Sequence, residues 1–168
     1  YLFFLTSTEN KISMTLNIDL LQAQLVEMGN YIAQKDEINS AVSSAPIGWH
    51  ISHNLKVINN IIATMESSNP EDYKKEFSFK RLLVFVSRRI PRGKARSPKV
   101  VWPPEVIKIE DLNESLTEAK KNIQLLNKLP RKAHFKHPYF KHLNRDQTKT
   151  FLEIHTEHHL KIIRDILK

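Results

Sequence analysis

Apolar residues recur along this chain with the rhythm of helices. Ile18, Leu21, Leu25, Met28 and Ile32 are three or four positions apart, which predicts a first helix with one apolar stripe. Gly29 interrupts it at a cost of about 1 kcal/mol relative to alanine. After a polar stretch from Gln34 to Ser44, a second helix is expected to start near Pro46, whose fixed φ suits a first turn. It runs through Trp49, Val57, Ile58, Ile61, Ile62 and Met65 and stops at Ser67-Ser68-Asn69-Pro70. A third bundle helix carries Leu112, Leu116, Ala119, Ile123 and Leu126 and ends at Pro130. Asn144 has the character of an N-cap for a last helix reaching almost to Lys168.

Between these periodic stretches the pattern changes. Tyr73 to Ile90 is apolar and basic and reads as helical, although Leu82-Leu83-Val84-Phe85-Val86 also suits a buried strand. Pro91, Pro98, Pro103 and Pro104 make 91–104 a loop that no regular element crosses. Residues 131–144, with Pro138 inside, read as irregular. The expected fold is all-α: a four-helix bundle with a long basic, proline-broken insertion between helices two and three. Residues 15–168 are expected to form one domain. Residues 1–14 read as an extension, since Met14 is a plausible start.

Composition narrows the chemistry. A chain of 168 residues with 40% hydrophobic and 26% charged residues has globular character. Three glycines are too few and too scattered for a phosphate-cradling loop. Zero cysteines exclude disulfides, thiolate ligands and a cysteine nucleophile, so a metal would need His, Asp or Glu. Tyr1 to Leu5 is apolar but far too short to span a bilayer, and no basic n-region precedes it, so a cytoplasmic location without membrane contact is expected. The net charge of +8 is localised. Lys80, Arg81, Arg88, Arg89, Arg92, Lys94, Arg96 and Lys99 lie in a stretch, Phe77 to Pro104, that contains no acid. Such a run could follow phosphates. A charge run is more often a solvated surface, and no helix-turn-helix is evident, so nucleic acid is not the expected partner.

The chain has eight histidines, and helical phase sorts them. With Phe151 at zero and 100° per residue, Leu152, Ile162, Ile163 and Ile166 fall between zero and about 120°. His155 lies at about 40° and His159 at about 80°, inside the stripe, and His158 lies on its edge at about −20°. Two imidazoles four residues apart on one inward face can converge on an ion. The alternative is a pair of core histidines bonded to neighbouring polar groups. On the second helix, His50 falls inside the stripe and His53 just outside it, so periodicity favours His50 while spacing leaves both open. Glu153, Glu157 and His158 are expected to face solvent. His134, His137 and His142 are expected to be exposed loop residues, with His137 the best placed to line a cleft mouth.

Three segments carry a resemblance: Gly48-Trp49-His50-Ile51-Ser52-His53-Asn54-Leu55, His137-Pro138-Tyr139-Phe140-Lys141-His142-Leu143, and Ile154-His155-Thr156-Glu157-His158-His159-Leu160. With the helical pattern, they make the chain resemble the DinB-like superfamily of metal-binding four-helix bundles, in its small, poorly characterised branch. The likeness covers about residues 15–168. It implies a metal held by His53, His155 and His159, with zinc or nickel as the expected ion and open positions for water. The resemblance also implies a place among metal-dependent thiol S-transferases and isomerases, so a metal-dependent transferase or hydrolase acting on a small, thiol-bearing or anionic substrate is expected. A thiol would then have to arrive as a small-molecule cosubstrate, because the chain has none of its own. Arg88, Arg89, Arg92, Lys94 and Arg96 are candidates for binding a substrate's anionic groups. The competing expectations are a metal-stabilised bundle without catalysis and a binder of nucleic acid or an acidic partner through residues 80–99. A homodimer is compatible with such bundles, though no heptad seam marks one.

Overall fold

The computed structural model describes residues 17–93 and 99–168. The expected N-terminal extension, Lys94 and Arg96 lie outside the described residues. Five α-helices dominate: α1 (Asp19–Asn30), α2 (Ile47–Glu66), α3 (Phe79–Ser87), α4 (Ile109–Leu126) and α5 (Arg145–Ile166). A two-stranded antiparallel sheet of β1 (His134–His137) and β2 (Lys141–Asn144) precedes α5. The chain is thus mostly helical with a small hairpin.

The four long helices contact one another in a ring. α4 packs on α1 and α2, and α5 packs on the same two helices. Their shared interior holds the stripes that the sequence pattern singles out. Leu21, Leu25 and Met28 come from α1, and Ile51, Leu55, Ile58 and Met65 from α2. Leu112, Leu116, Ala119, Ile123 and Leu126 come from α4, and Leu152, Leu160 and Ile163 from α5. Burial of these side chains, at about 25 cal/mol per Å² of apolar surface, is what drives the helices together.

The two internal glycines sit at close approaches. A Cβ on Gly29 would lie 2.9 Å from Leu116 Cδ2, so the missing side chain lets α1 approach α4. Gly48 has tighter surroundings. Its N–H donates to the Lys35 carbonyl at 2.7 Å, and a Cβ there would stand 2.9 Å from that same oxygen. The start of α2 is therefore held against the 3-10 turn Ile32–Gln34 that follows α1. Pro46 is the N-cap of α2, one position before the expected first turn.

Two expectations require correction. The segment Tyr73 to Ile90 is helical only over Phe79–Ser87, because Ser78 caps α3 through Arg81 N–H and Arg88 ends it in the left-handed region at φ 53°. Residues 131–144 are not irregular. From His134 onward they form the hairpin, in register His134↔Asn144 through His137↔Lys141. His137 organises its turn: Nδ1 accepts from the Tyr139 and Phe140 N–H groups at 3.1 and 3.2 Å. The ring also stacks on Phe140 with centroids 4.3 Å apart. Arg81 Nη1 donates to the Phe140 and His142 carbonyls, joining α3 to the hairpin. Asn144 then caps α5 through a capping box with Gln147. No helix among the described residues is long and apolar enough to cross a membrane.

Candidate metal centre

α2 and α5 bring the site together. His53 is in the second turn of α2, and His155 and His159 occupy successive turns of α5 on the face turned toward it. One ring nitrogen from each lies within 4.8 Å of the other two. Ligands on a tetrahedral ion with bonds of about 2.0 Å stand about 3.3 Å apart, so small side-chain adjustments close the set. The rings are tilted toward one another, with centroids 4.6 to 5.4 Å apart. Trp49 stacks on His53 at 5.0 Å and limits its rotation.

Each of the three imidazoles has its Nδ1 occupied by a different group. His53 Nδ1 pairs with the Val101 carbonyl at 2.9 Å, and His155 Nδ1 with Asn54 Oδ1 at 2.9 Å. His159 Nδ1 pairs with His50 Nδ1 at 3.1 Å. A carbonyl or amide oxygen only accepts, so His53 and His155 carry their protons on Nδ1 and present a bare Nε2. This is the outer-shell pattern that orients imidazole ligands in metal sites. Asn54 is itself fixed, since its Nδ2 donates to Thr156 Oγ1 at 3.3 Å.

Electrostatics keep the rings neutral. Burial is the main cause that lowers the pKa of all three, and it puts His155 and His159 well below the ordinary imidazole value. Neighbouring imidazoles push those two further in the same direction. The Val101 carbonyl partly opposes the shift at His53. Neutral rings are the form that ligates a metal, and little proton competition remains at neutral pH. The donor set thus fits a divalent ion: three neutral nitrogens, no thiolate, and fixed second partners.

The other sequence candidates divide. His50 is as buried as His53, at 4% and 3% exposure, so the periodicity that favoured it identified an inward residue. It lies outside the cluster of three, against His159. Glu153 was expected in solvent but is 3% exposed, because Arg88 and α3 cover that side of α5. Arg88 Nη2 and Lys149 Nζ hold its carboxylate at 3.1 and 2.7 Å. Glu157 is half-buried and accepts from Arg164, and His158 is half-buried beside the Ile90 backbone, so both are only partly exposed to solvent. His142 Nδ1 pairs with Glu76 at 2.7 Å rather than lying free in a loop.

Of the anion-binding candidates, Arg92 pairs with Asp165 at 2.7 Å and Arg88 with Glu153. Arg88, Arg89 and Arg92 line a surface cleft with His158 and Lys161. The site residues that sequence reasoning missed are Asn54 and the Val101 carbonyl. Asn54 left a signal, an amide among the apolar positions of the α2 stripe. A backbone carbonyl from a distant turn leaves none. No protein-family model matches this chain, and no curated protein or solved structure matches it.

Proposed function

We propose that this chain is a DinB-like four-helix bundle in which His53, His155 and His159 hold a divalent ion, zinc or nickel. The observation that carries the reading is the outer-shell arrangement, with three converging imidazoles that each have Nδ1 engaged. When bound, an ion with three neutral ligands keeps its full charge and an open position, where it lowers the pKa of a water or thiol. The reaction class we favour is thiol S-transfer or hydrolysis on a small substrate. The chain's own part is to hold the imidazoles neutral and oriented and to present Arg88, Arg89 and Arg92 to an anionic group on that substrate.

A second reading, an ion that serves stability alone, is favoured by the deep burial of His53 and His159. One set of experiments separates the two. The purified chain is expected to bind one zinc or nickel per molecule, and His155→Ala to lose it, measured by elemental analysis and competition with a chromophoric chelator. Thiol-transfer or hydrolase turnover that vanishes with the ion supports the catalytic reading. Chelator-sensitive melting with no turnover supports the structural one. A wild-type chain indifferent to both metals overturns both.

A further inference from the structure

The metal-ligand partners are not equivalent. Val101 O and Asn54 Oδ1 can only accept, so the proton positions on His53 and His155 are set in advance. The partner of His159 is another imidazole, and a hydrogen bond between two Nδ1 atoms 3.1 Å apart contains one proton that either ring can own. On the far side of His50, Nε2 lies 2.9 Å from Ser43 Oγ, which also accepts from the Ala45 N–H at 3.1 Å. A linear chain therefore runs from His159 through His50 to Ser43.

The chain has two directions. If Ser43 O–H donates to His50 Nε2, then His50 Nδ1–H donates to His159, and the proton of neutral His159 falls on Nε2, the nitrogen left for an ion while Nδ1 faces His50. If His50 carries its proton on Nε2 and donates to Ser43, its bare Nδ1 accepts from His159 Nδ1–H, and His159 Nε2 is free. Only the second direction is compatible with ligation by His159. The Ala45 N–H, by occupying one lone pair of Ser43 Oγ, fixes where that oxygen sits and leaves a lone pair for His50.

We propose that His50 is the positioning residue that makes His159 a ligand, with Ser43 Oγ accepting from Nε2–H of the His50 tautomer whose bare Nδ1 accepts from His159. The inference rests on the metal-centre reading above. It assigns a role to a buried histidine that is not itself in the cluster of three. It also explains how a fourth imidazole can sit beside the site without joining it, since both of its nitrogens are committed.

The test uses zinc affinity of the full chain. His50→Phe keeps a ring but removes the acceptor, and is expected to weaken zinc binding about 10- to 100-fold with one ion still bound. His50→Asn puts an amide oxygen near the Nδ1 position and is expected to restore affinity to near wild type. Ser43 lies in a half-buried loop, so Ser43→Ala tests the same chain where folding is not at risk. A loss of about threefold to tenfold, at the low end for outer-shell changes, is expected there, and Ser43→Thr should preserve affinity.

Histidine 15N NMR of the zinc-loaded protein should show His159 protonated on Nδ1 and His50 on Nε2. Unchanged affinity in both His50→Phe and Ser43→Ala, or a His50 proton on Nδ1, overturns the proposal. So does X-ray absorption that counts four imidazoles in wild type and three in His50→Phe, which would make His50 a ligand. Failure of the underlying metal reading has a different signature: no zinc uptake by wild type, or no loss on His155→Ala.

Discussion

Glu153 illustrates how one side chain's surroundings override its position on a helical wheel. Its place on the outer side of α5 suggested solvent, yet Arg88 reaches over it from the left-handed residue that ends α3. A carboxylate at 3% exposure is tolerable only while its cations remain, because an unpaired buried charge is costly. Lys149 would still hold one oxygen, and Arg88 is half-exposed, so the effect is smaller than for a sealed pair. Arg88→Ala is expected to lower stability by about 1–2 kcal/mol in urea unfolding, where a loss of only a few tenths would show that Lys149 suffices. At this scale the histidine pair was readable, since its phase depends only on spacing within one helix. The burial of Glu153 was not, because it depends on a helix some seventy positions away whose placement no periodicity encodes.

At the scale of elements, the site depends on where α2 begins. Gly48 precedes His50 by two residues, and a methyl group there would meet the Lys35 carbonyl oxygen and Cβ, neither of which is the flexible end of a side chain. Gly48→Ala is expected to cost about 1–3 kcal/mol despite a helix-propensity gain of about 1 kcal/mol, and to weaken metal binding as α2 shifts. Gly29→Ala meets only the end of the Leu116 side chain, so near-neutral stability is expected for it in the same urea experiment. Equal effects at the two positions would contradict this account.

Helix starts and stops were legible where local chemistry announces them, as at Asn144 and Pro130. The hairpin was not, because four-residue strands around Pro138 show too little alternation, and its turn is held by a histidine ring accepting two backbone N–H groups. α3 was overextended for a related reason. Phe79, Leu82, Leu83 and Val86 are exposed, so its apolar spacing does not mark a buried face.

For the whole molecule, the concentration of buried neutral histidines makes stability depend on pH. His50 and His137 are pushed by burial from the ordinary 6.5 to about 4, and His53, His155 and His159 are lowered as well. Below 6.5 the unfolded chain takes up protons that the folded chain resists, so unfolding gains. The metal-free protein is expected to hold full stability above about pH 6.5 and to lose it progressively as pH falls toward about 4, followed by melting temperature across that range. A flat profile would mean that these rings are not neutral in the fold. The localised charge has a related reading. Arg88 and Arg92 are ion-paired with Glu153 and Asp165, and Arg81 is held by backbone carbonyls, so any anionic partner, substrate or nucleic acid, has to compete for them.

His53 and His155 are about a hundred residues apart in sequence yet adjacent in space. An ion shared between α2 and α5 would therefore close a very long loop, acting as a topological cross-link in a chain that has no cysteine to make one. In the chain-entropy picture, tying together positions about a hundred residues apart removes roughly 4–5 kcal/mol of freedom from the unfolded ensemble when the tie persists there. A labile ion released on unfolding leaves that freedom intact and acts through mass action instead. The same ligand geometry would thus make this fold's resistance to heat adjustable by the metal supply around it, where a disulfide would make it permanent.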